Sequence, residues 1–591
     1  MAFYFTPRHS LYKTTAYVIY KMLFEVLSLR FFGALLILYL IFFKTIGISN
    51  DLSGSYLAAK HAEKLGDLNS AAKYFKKVLT KDPKNFKIMG GLVESYVGLG
   101  DFQSAFSVTK ILASSDFSNE TIQLAIIAQF AKNSDFPNLL SHLDRGQGLR
   151  HFLIDGLIRS WTLVGLERNA EAISALDELS RNSEVASFVL YHKALILISQ
   201  QKFEEAEQIF SMLDETTGHM TPRRNAIRVQ SLLKQGKFYQ AETIFKKSFG
   251  DNPVPPYIDL KRHIESNTKP GDMIIETAND GLAEVFFSIA KILSNETEDK
   301  YTLGHCRVAE FLQKENAEAT LLCGDILEGM GQYEIAIQTY QKINEDHPLY
   351  GFSELGRANA LKRSGKTQRA VRVLEELIMQ KPQLIEAHIT LGDVWRSLEE
   401  YKKAILAYTD ALKMIKINKN ISWQVLYSRG IAYERMGDWD KAEKDFRDAL
   451  EIRPNQPYIL NYLGYSLVEK KIKLDEALEL IKKAVEIRSD SGYIVDSLGW
   501  ALFKLSKSQE AVPHLEKAVS LLPSDPIIND HLGDVYWAVG RKREARFQWK
   551  RALSFDPEAV EAKKIRKKLE IGLDKFLKEE GSNSKTNVNV Q

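Results

Sequence analysis

The chain has 591 residues, of which 45% are hydrophobic and 26% charged, an ordinary balance for a soluble folded protein. Its 79 lysines and arginines face 76 aspartates and glutamates, so the formal charge is +3 and nothing in that balance calls for nucleic acid. With 16 prolines and 10% aromatic residues, low-complexity disorder is excluded as the main state.

The first predicted element is an uncharged apolar run, Phe31 to Phe43, between Arg30 and Lys44. It is shorter than the roughly 20 residues of a membrane-spanning helix. It suits the core of a signal peptide, with Arg30 as the positive flank and small residues before a candidate cleavage after Ser49. Residues 1–49 are therefore expected to be a signal peptide or a retained transmembrane anchor, with translation starting at Met1 or at Met22. Either fate puts the body of the chain outside the cytoplasm, and any membrane contact is expected through residues 31–43 alone. A third reading makes the run a buried helix of the first repeat. The two cysteines, Cys306 and Cys323, lie far from this run, which excludes lipid attachment to a cysteine there. They either pair as a disulfide or serve as small hydrophobes on apolar faces.

Beyond residue 50 the sequence is periodic. Gly430, Gly464, Gly499 and Gly533 recur at intervals of 34 or 35 residues, as do Ala442, Ala477, Ala511 and Ala545. A bulky residue follows each alanine by four, for example Phe446, Ile481, Leu515 and Trp549, and prolines such as Pro454, Pro523 and Pro557 follow by 12. Apolar spacing of three, four and seven is helical, so each unit reads as a helix, a tight turn, a second helix and a closing proline. The small residues let the two helices approach closely. Two units are expected over 50–113, degenerate helical repeats over 114–220, and one unit, a loop-rich break and a helix pair over 221–316. Seven consecutive units follow over 317–559, then a capping helix over 560–580 and a disordered tail over 581–591. The break is the expected place for a bend between two segments.

These positions match W-x2-L-G-x2-Y, A-x3-F and P, and the chain resembles the tetratricopeptide repeat family. The unit from Trp423 carries the match at Gly430, Tyr433, Gly437, Ala442, Phe446, Ala449 and Pro454. The resemblance implies an all-α solenoid, a right-handed superhelix whose first helices line a concave side. The second, fifth, ninth and twelfth residues of those helices then face inward. Carried across, this gives a partner-binding groove of Tyr427, Tyr458, Asn461, Tyr465, Tyr493, Asp496, Trp500, Phe503, Asp530, Asp534 and Trp537. The set is aromatic and acidic, suited to an extended peptide with basic side chains. It departs from the lysine and asparagine with which members of the family hold C-terminal carboxylates.

NYLGYS, DSLGW and HLGD also resemble large bacterial cell-envelope proteins of this family, some of them lipoprotein adaptors. The expected function is a non-enzymatic scaffold or adaptor of the bacterial envelope that binds a partner protein or extended peptide. The alternatives are an accessory subunit of an envelope enzyme system, binding polysaccharide or lipid, and a cytoplasmic assembly factor. No cofactor, metal or catalytic residue is expected, because H-E-x-x-H, paired C-x-x-C and G-x-S-x-G are all missing. SGKT at Ser364 to Thr367 lacks the required glycine five residues before Gly365, where Ala360 stands. His388 and His531 are expected on helix surfaces. The basic cluster around Arg541, Arg543 and Arg546 is either an acidic docking site or a solvated outer face.

Overall fold

The computed structural model describes residues 51–586, apart from 113–117, 218–220, 252, 254–256, 272, 295–298, 314–315 and 416–418. The apolar run 31–43, the cleavage expected after Ser49 and the last residues of the tail lie outside the described residues. Among the described residues every regular element is a helix. None is long and apolar enough to cross a membrane. The chain forms two compact units, one ending at Ser364 and the other beginning at Gly365.

The repeated Leu-Gly phrase has a packing cause. A Cβ on Gly430 would meet the Phe446 ring at 2.6 Å, one on Gly464 would meet Ile481 at 2.7 Å, and one on Gly499 would meet Leu515 at 2.5 Å. Gly533 faces Trp549 in the same way. The bulky residue of each second helix thus sits directly on the bare backbone of its own first helix. The second helix Trp439–Ile452 buries Ala442, Asp445, Phe446 and Ala449, the i, i+3, i+4, i+7 stripe of an amphipathic helix. Gly437 and Gly540 turn the chain between paired helices at φ 83° and 86°. Gly365 of the SGKT phrase also has a positive φ, 78°.

The degenerate stretch is helical throughout its described residues. It contains the pairs Glu120–Lys132 with Phe136–Asp144, Phe152–Gly165 with Asn169–Leu179, and Ala186–Ser199 with Phe203–Thr217. Its signature blurs for two reasons. Ser134, Glu167 and Gln201 replace glycine at positive φ in the turns. The first helices are also buried beyond the usual stripe, with Ala194 to Leu197 covered without a break.

What covers them is the helix pair after the break, Ala278–Leu293 and Asp299–Leu312. These helices are buried almost all round, over Gly281 to Phe287 and Thr302 to Glu310, as only enclosed helices are. Gly281 lies against the Trp161 ring, Phe311 stacks on Phe102 at 4.4 Å, and Tyr191 donates to Glu284 at 2.8 Å. Arg307 donates to the Gly98 carbonyl at 3.1 Å, and Lys132 to that of Leu312 at 3.1 Å. The break is therefore a return of the chain across its own earlier first helices. The boundary between the compact units falls later in the chain, at Ser364.

At the C-terminus, two helices stand where one cap was expected, Ala559–Ile571 and Leu573–Thr586, and the second runs into the stretch expected to be disordered. Gly572, at φ 80°, breaks between them and turns Leu573 and Phe576 into the core. Cys306 and Cys323 are both buried free thiols.

Gly430→Ala should cost about 1–3 kcal/mol of stability, the usual price of overpacking a closed contact. Urea titration followed by circular dichroism measures it, and an unchanged midpoint would show that the Gly430–Phe446 approach is not close.

Candidate functional site

In the C-terminal unit the first helices include Ile385–Ser397, Lys419–Arg435, Pro457–Glu469, Gly492–Lys504 and Pro526–Ala538. Residues as distant in sequence as Arg396 and Ile565 line one cleft of about 960 Å³. Its lining is mixed. Ile431, Tyr465, Ile527 and Ile565 give apolar surface, Arg396 and Arg435 stand on the early helices, and Glu558 and Glu561 come from the start of the cap.

The floor of the cleft is a buried charge network. His531 Nδ1 lies 3.0 Å from both Asp496 oxygens, and its ring stacks under Trp500 at 3.8 Å. Trp500 in turn donates its indole N–H to Glu469 at 2.8 Å. Lys568 reaches in from the cap and donates to Asp530 and Asp534, each at 2.7 Å. Asp534 also accepts from Trp549 at 2.9 Å. Burial pushes the Asp534 carboxyl up to about 6 against the opposing pull of Lys568. Burial works against a charged imidazole at His531, yet Asp496 outweighs it and holds His531 above its ordinary value.

The eleven expected groove residues fall into distinct places. Tyr465 and Asp530 line the cleft. Tyr458 and Tyr493 stand on exposed rims, 48% and 61% exposed, with Tyr458 accepting from Arg488 at 3.2 Å. Asn461 carries a buried oxygen without a hydrogen-bond partner. Tyr427 packs edge-on against Tyr462 at 5.8 Å, and Phe503 packs beside Trp500 at 5.2 Å, both against the core.

The reading of an open acidic surface is corrected. Asp496 and Asp534 are buried and matched by His531 and Lys568. Trp537 is covered by the cap, where it stacks on Trp549 at 5.3 Å and donates to Asp574 at 2.9 Å. Neither expected surface histidine is on the surface. His531 is in the network, and His388 is buried with Nε2 3.0 Å from the Pro382 carbonyl. In the basic cluster, Arg541 pairs with Glu516 and Glu544, and Arg546 donates to the Leu569 carbonyl. The inward rule also reaches residues left out of the expected set. Arg396 is the twelfth residue of its helix and Ile527 the second of its own.

Stacked helix pairs that leave a ligand-sized cleft along their first helices define an α-solenoid. Models of the tetratricopeptide repeat match residues 62–116, 159–218, 355–416 and 423–456. Over these residues the chain carries tetratricopeptide repeats, a repeat class that serves as a scaffold for protein–protein interaction. A TPR repeat-containing protein of Pseudomonas aeruginosa is 26% identical over 130 residues, 22% of this chain and 21% of that protein. The protein O-mannosyl-transferase TMTC1 of Homo sapiens is 23% identical over 171 residues, 28% of this chain and 19% of that one. The chain thus spans about a fifth of the length of these curated relatives. Among solved structures, the APC/C hetero-tetramer Cut9–Hcn1 is similar over 90% of this chain and 98% of that chain, at 16% identity and a TM-score of 0.38.

The charge network makes stability depend on pH. His531 binds its proton more tightly folded than unfolded, so its contribution is complete below the ordinary 6.5 and is lost as pH rises through the higher folded value. The melting temperature of the C-terminal unit should therefore fall as pH rises above the ordinary histidine value of about 6.5. His531→Gln should flatten that slope, which thermal melts across this range would measure. An equal slope in both proteins would exclude His531 as the titrating group.

Proposed function

We propose that this protein is a scaffold that holds an extended segment of a partner protein in the cleft lined by Arg396, Tyr465 and Ile565. One contrast carries the reading. In the N-terminal unit the chain's own helices Ala278–Leu293 and Asp299–Leu312 cover much of the corresponding first-helix face, leaving smaller pockets of about 640 and 570 Å³. In the C-terminal unit the face is left as a cleft of about 960 Å³. Its walls mix isoleucine and tyrosine side chains, which bury area, with charged heads that select among partners. Because those charges are partly exposed, retention of the partner should weaken with added salt. The apolar run Phe31 to Phe43 supports export or tethering, which would place the scaffold in a cell envelope.

Crosslinking in intact cells tests the cleft. A chain carrying Tyr465→Asp and Arg435→Glu should lose its captured partner while keeping its helical circular dichroism. Tyr239→Asp, at a residue 82% exposed in the N-terminal unit, should keep it. Equal capture by all three chains would reject the cleft as the binding surface. An alkaline phosphatase fused after Gln591 should be active, since that enzyme matures only outside the cytoplasm, and an inactive fusion would reject export.

A further inference from the structure

The floor of the cleft holds a carboxylate that is only half used. Asp530 is 8% exposed and gives one oxygen, Oδ2, to Lys568. Its other oxygen, Oδ1, is buried and has no hydrogen-bond partner. A buried carboxylate oxygen without a donor is costly to keep, and a donor brought by a ligand relieves that cost. Charge points the same way. Asp496, Asp530 and Asp534 face Lys568 and His531, which together supply at most two positive charges, so the floor keeps an excess negative charge. Glu558 and Glu561 extend that sign along the capping wall of the cleft.

The opposite wall carries two arginines, Arg396 and Arg435, as well as Glu399. Arg396 is held by Asp393 at 3.3 Å and donates to the Tyr408 hydroxyl at 3.2 Å. Arg435 is looser, its side chain 61% exposed and 3.7 Å from Glu434. A basic group is drawn to the floor, while an acidic group is drawn to Arg435, the more exposed of the two arginines.

We propose that the cleft recognises its peptide through a lysine or arginine side chain, whose cationic head donates to Asp530 Oδ1. An acidic side chain further along the same peptide meets Arg435 and sets the direction in which the segment lies. Ile431, Ile527 and Ile565 line the cleft between these two points and receive the apolar stem of the basic residue. This rests on the reading of the cleft as a peptide site and names the chemistry that the site selects.

The test is a positional library of short acetylated peptides passed over the immobilised full chain. Lysine or arginine should be enriched at one position, by roughly tenfold or more, the worth of one charge-assisted hydrogen bond. Asp530→Asn keeps an oxygen for Lys568 but removes the negative charge, and should erase that enrichment. Ile527→Arg changes a residue 53% exposed, three positions along the same helix, and supplies a competing cation without disturbing the buried network. It should lower the affinity of the selected peptide by a similar factor. Arg435→Glu should erase any preference for aspartate or glutamate at the second position. Peptides retained without a basic preference, or a preference that survives both Asp530→Asn and Ile527→Arg, would overturn the proposal and leave the cleft standing as a peptide site. Retention of no peptide, or retention that Tyr465→Asp leaves unchanged, would overturn the cleft reading and this inference with it.

Discussion

The structure depends on one close approach, between the backbone of a glycine on the first helix and a bulky side chain on the second. Gly430 under Phe446, Gly464 under Ile481 and Gly499 under Leu515 each leave less room than a methyl group needs. That contact fixes the distance between the helices of a pair. Repeating it at a constant spacing brings equivalent residues of successive units to equivalent places. Tyr458, Tyr493 and Ile527 are each the second residue of their helices, and all three are exposed. This exposed row of second residues, of which Ile527 lines the cleft, is thus a by-product of the same packing rule that closes the core.

The two units use this brick differently. In the N-terminal unit the chain leaves the array after Glu265, returns, and lays two helices across the first helices of earlier pairs. The returning helices bring charge into the interior and have to satisfy it there. Glu284 accepts from Tyr191 and from Arg223, each at 2.8 Å, and Arg223 also pairs with Glu318. Arg307 is matched by Glu310 at 2.6 Å as well as by the Gly98 carbonyl. Removing one partner of such buried pairs leaves an uncompensated charge, so the filling is held by more than apolar contact. This is a core in which the chain has already taken much of the face that a ligand would use.

The architecture was legible in the sequence because its rule is local. Glycine, alanine, bulky residue and proline all fall within one period, and the amphipathic stripe of the second helices is strong. The return of the chain was not legible, since Arg307 meets Gly98 across 209 residues and no periodicity relates them. The site was legible in part. Counting inward positions reached Tyr465 and Asp530, but taking aromatic, acidic and amide side chains from Tyr427 onward passed over Arg396 and Ile527. The state of the aspartates had a signal that the spacing carries. His531 lies 35 residues after Asp496, and Lys568 lies 34 after Asp534. Opposite charges one period apart meet between neighbouring units, so a lysine at that interval from a groove aspartate marks the aspartate as spent.

The same spacing changes the meaning of the C-terminal cap. A capping helix is required in any array to cover the last apolar face, and Leu573 and Phe576 do this. Here the helix Ala559–Ile571 does more than cover. Its Lys568 neutralises most of the charge that Asp530 and Asp534 bring to the floor, while Glu561 and Ile565 form part of the cleft wall. Without Lys568 two carboxylates would face each other unpaired beneath an apolar lining, a state that costs several kcal/mol in a buried site. The cap and the binding surface are therefore one structure. The charge of the cleft is set by how much of the aspartate pair Lys568 leaves uncovered, and what it leaves is the single oxygen of Asp530.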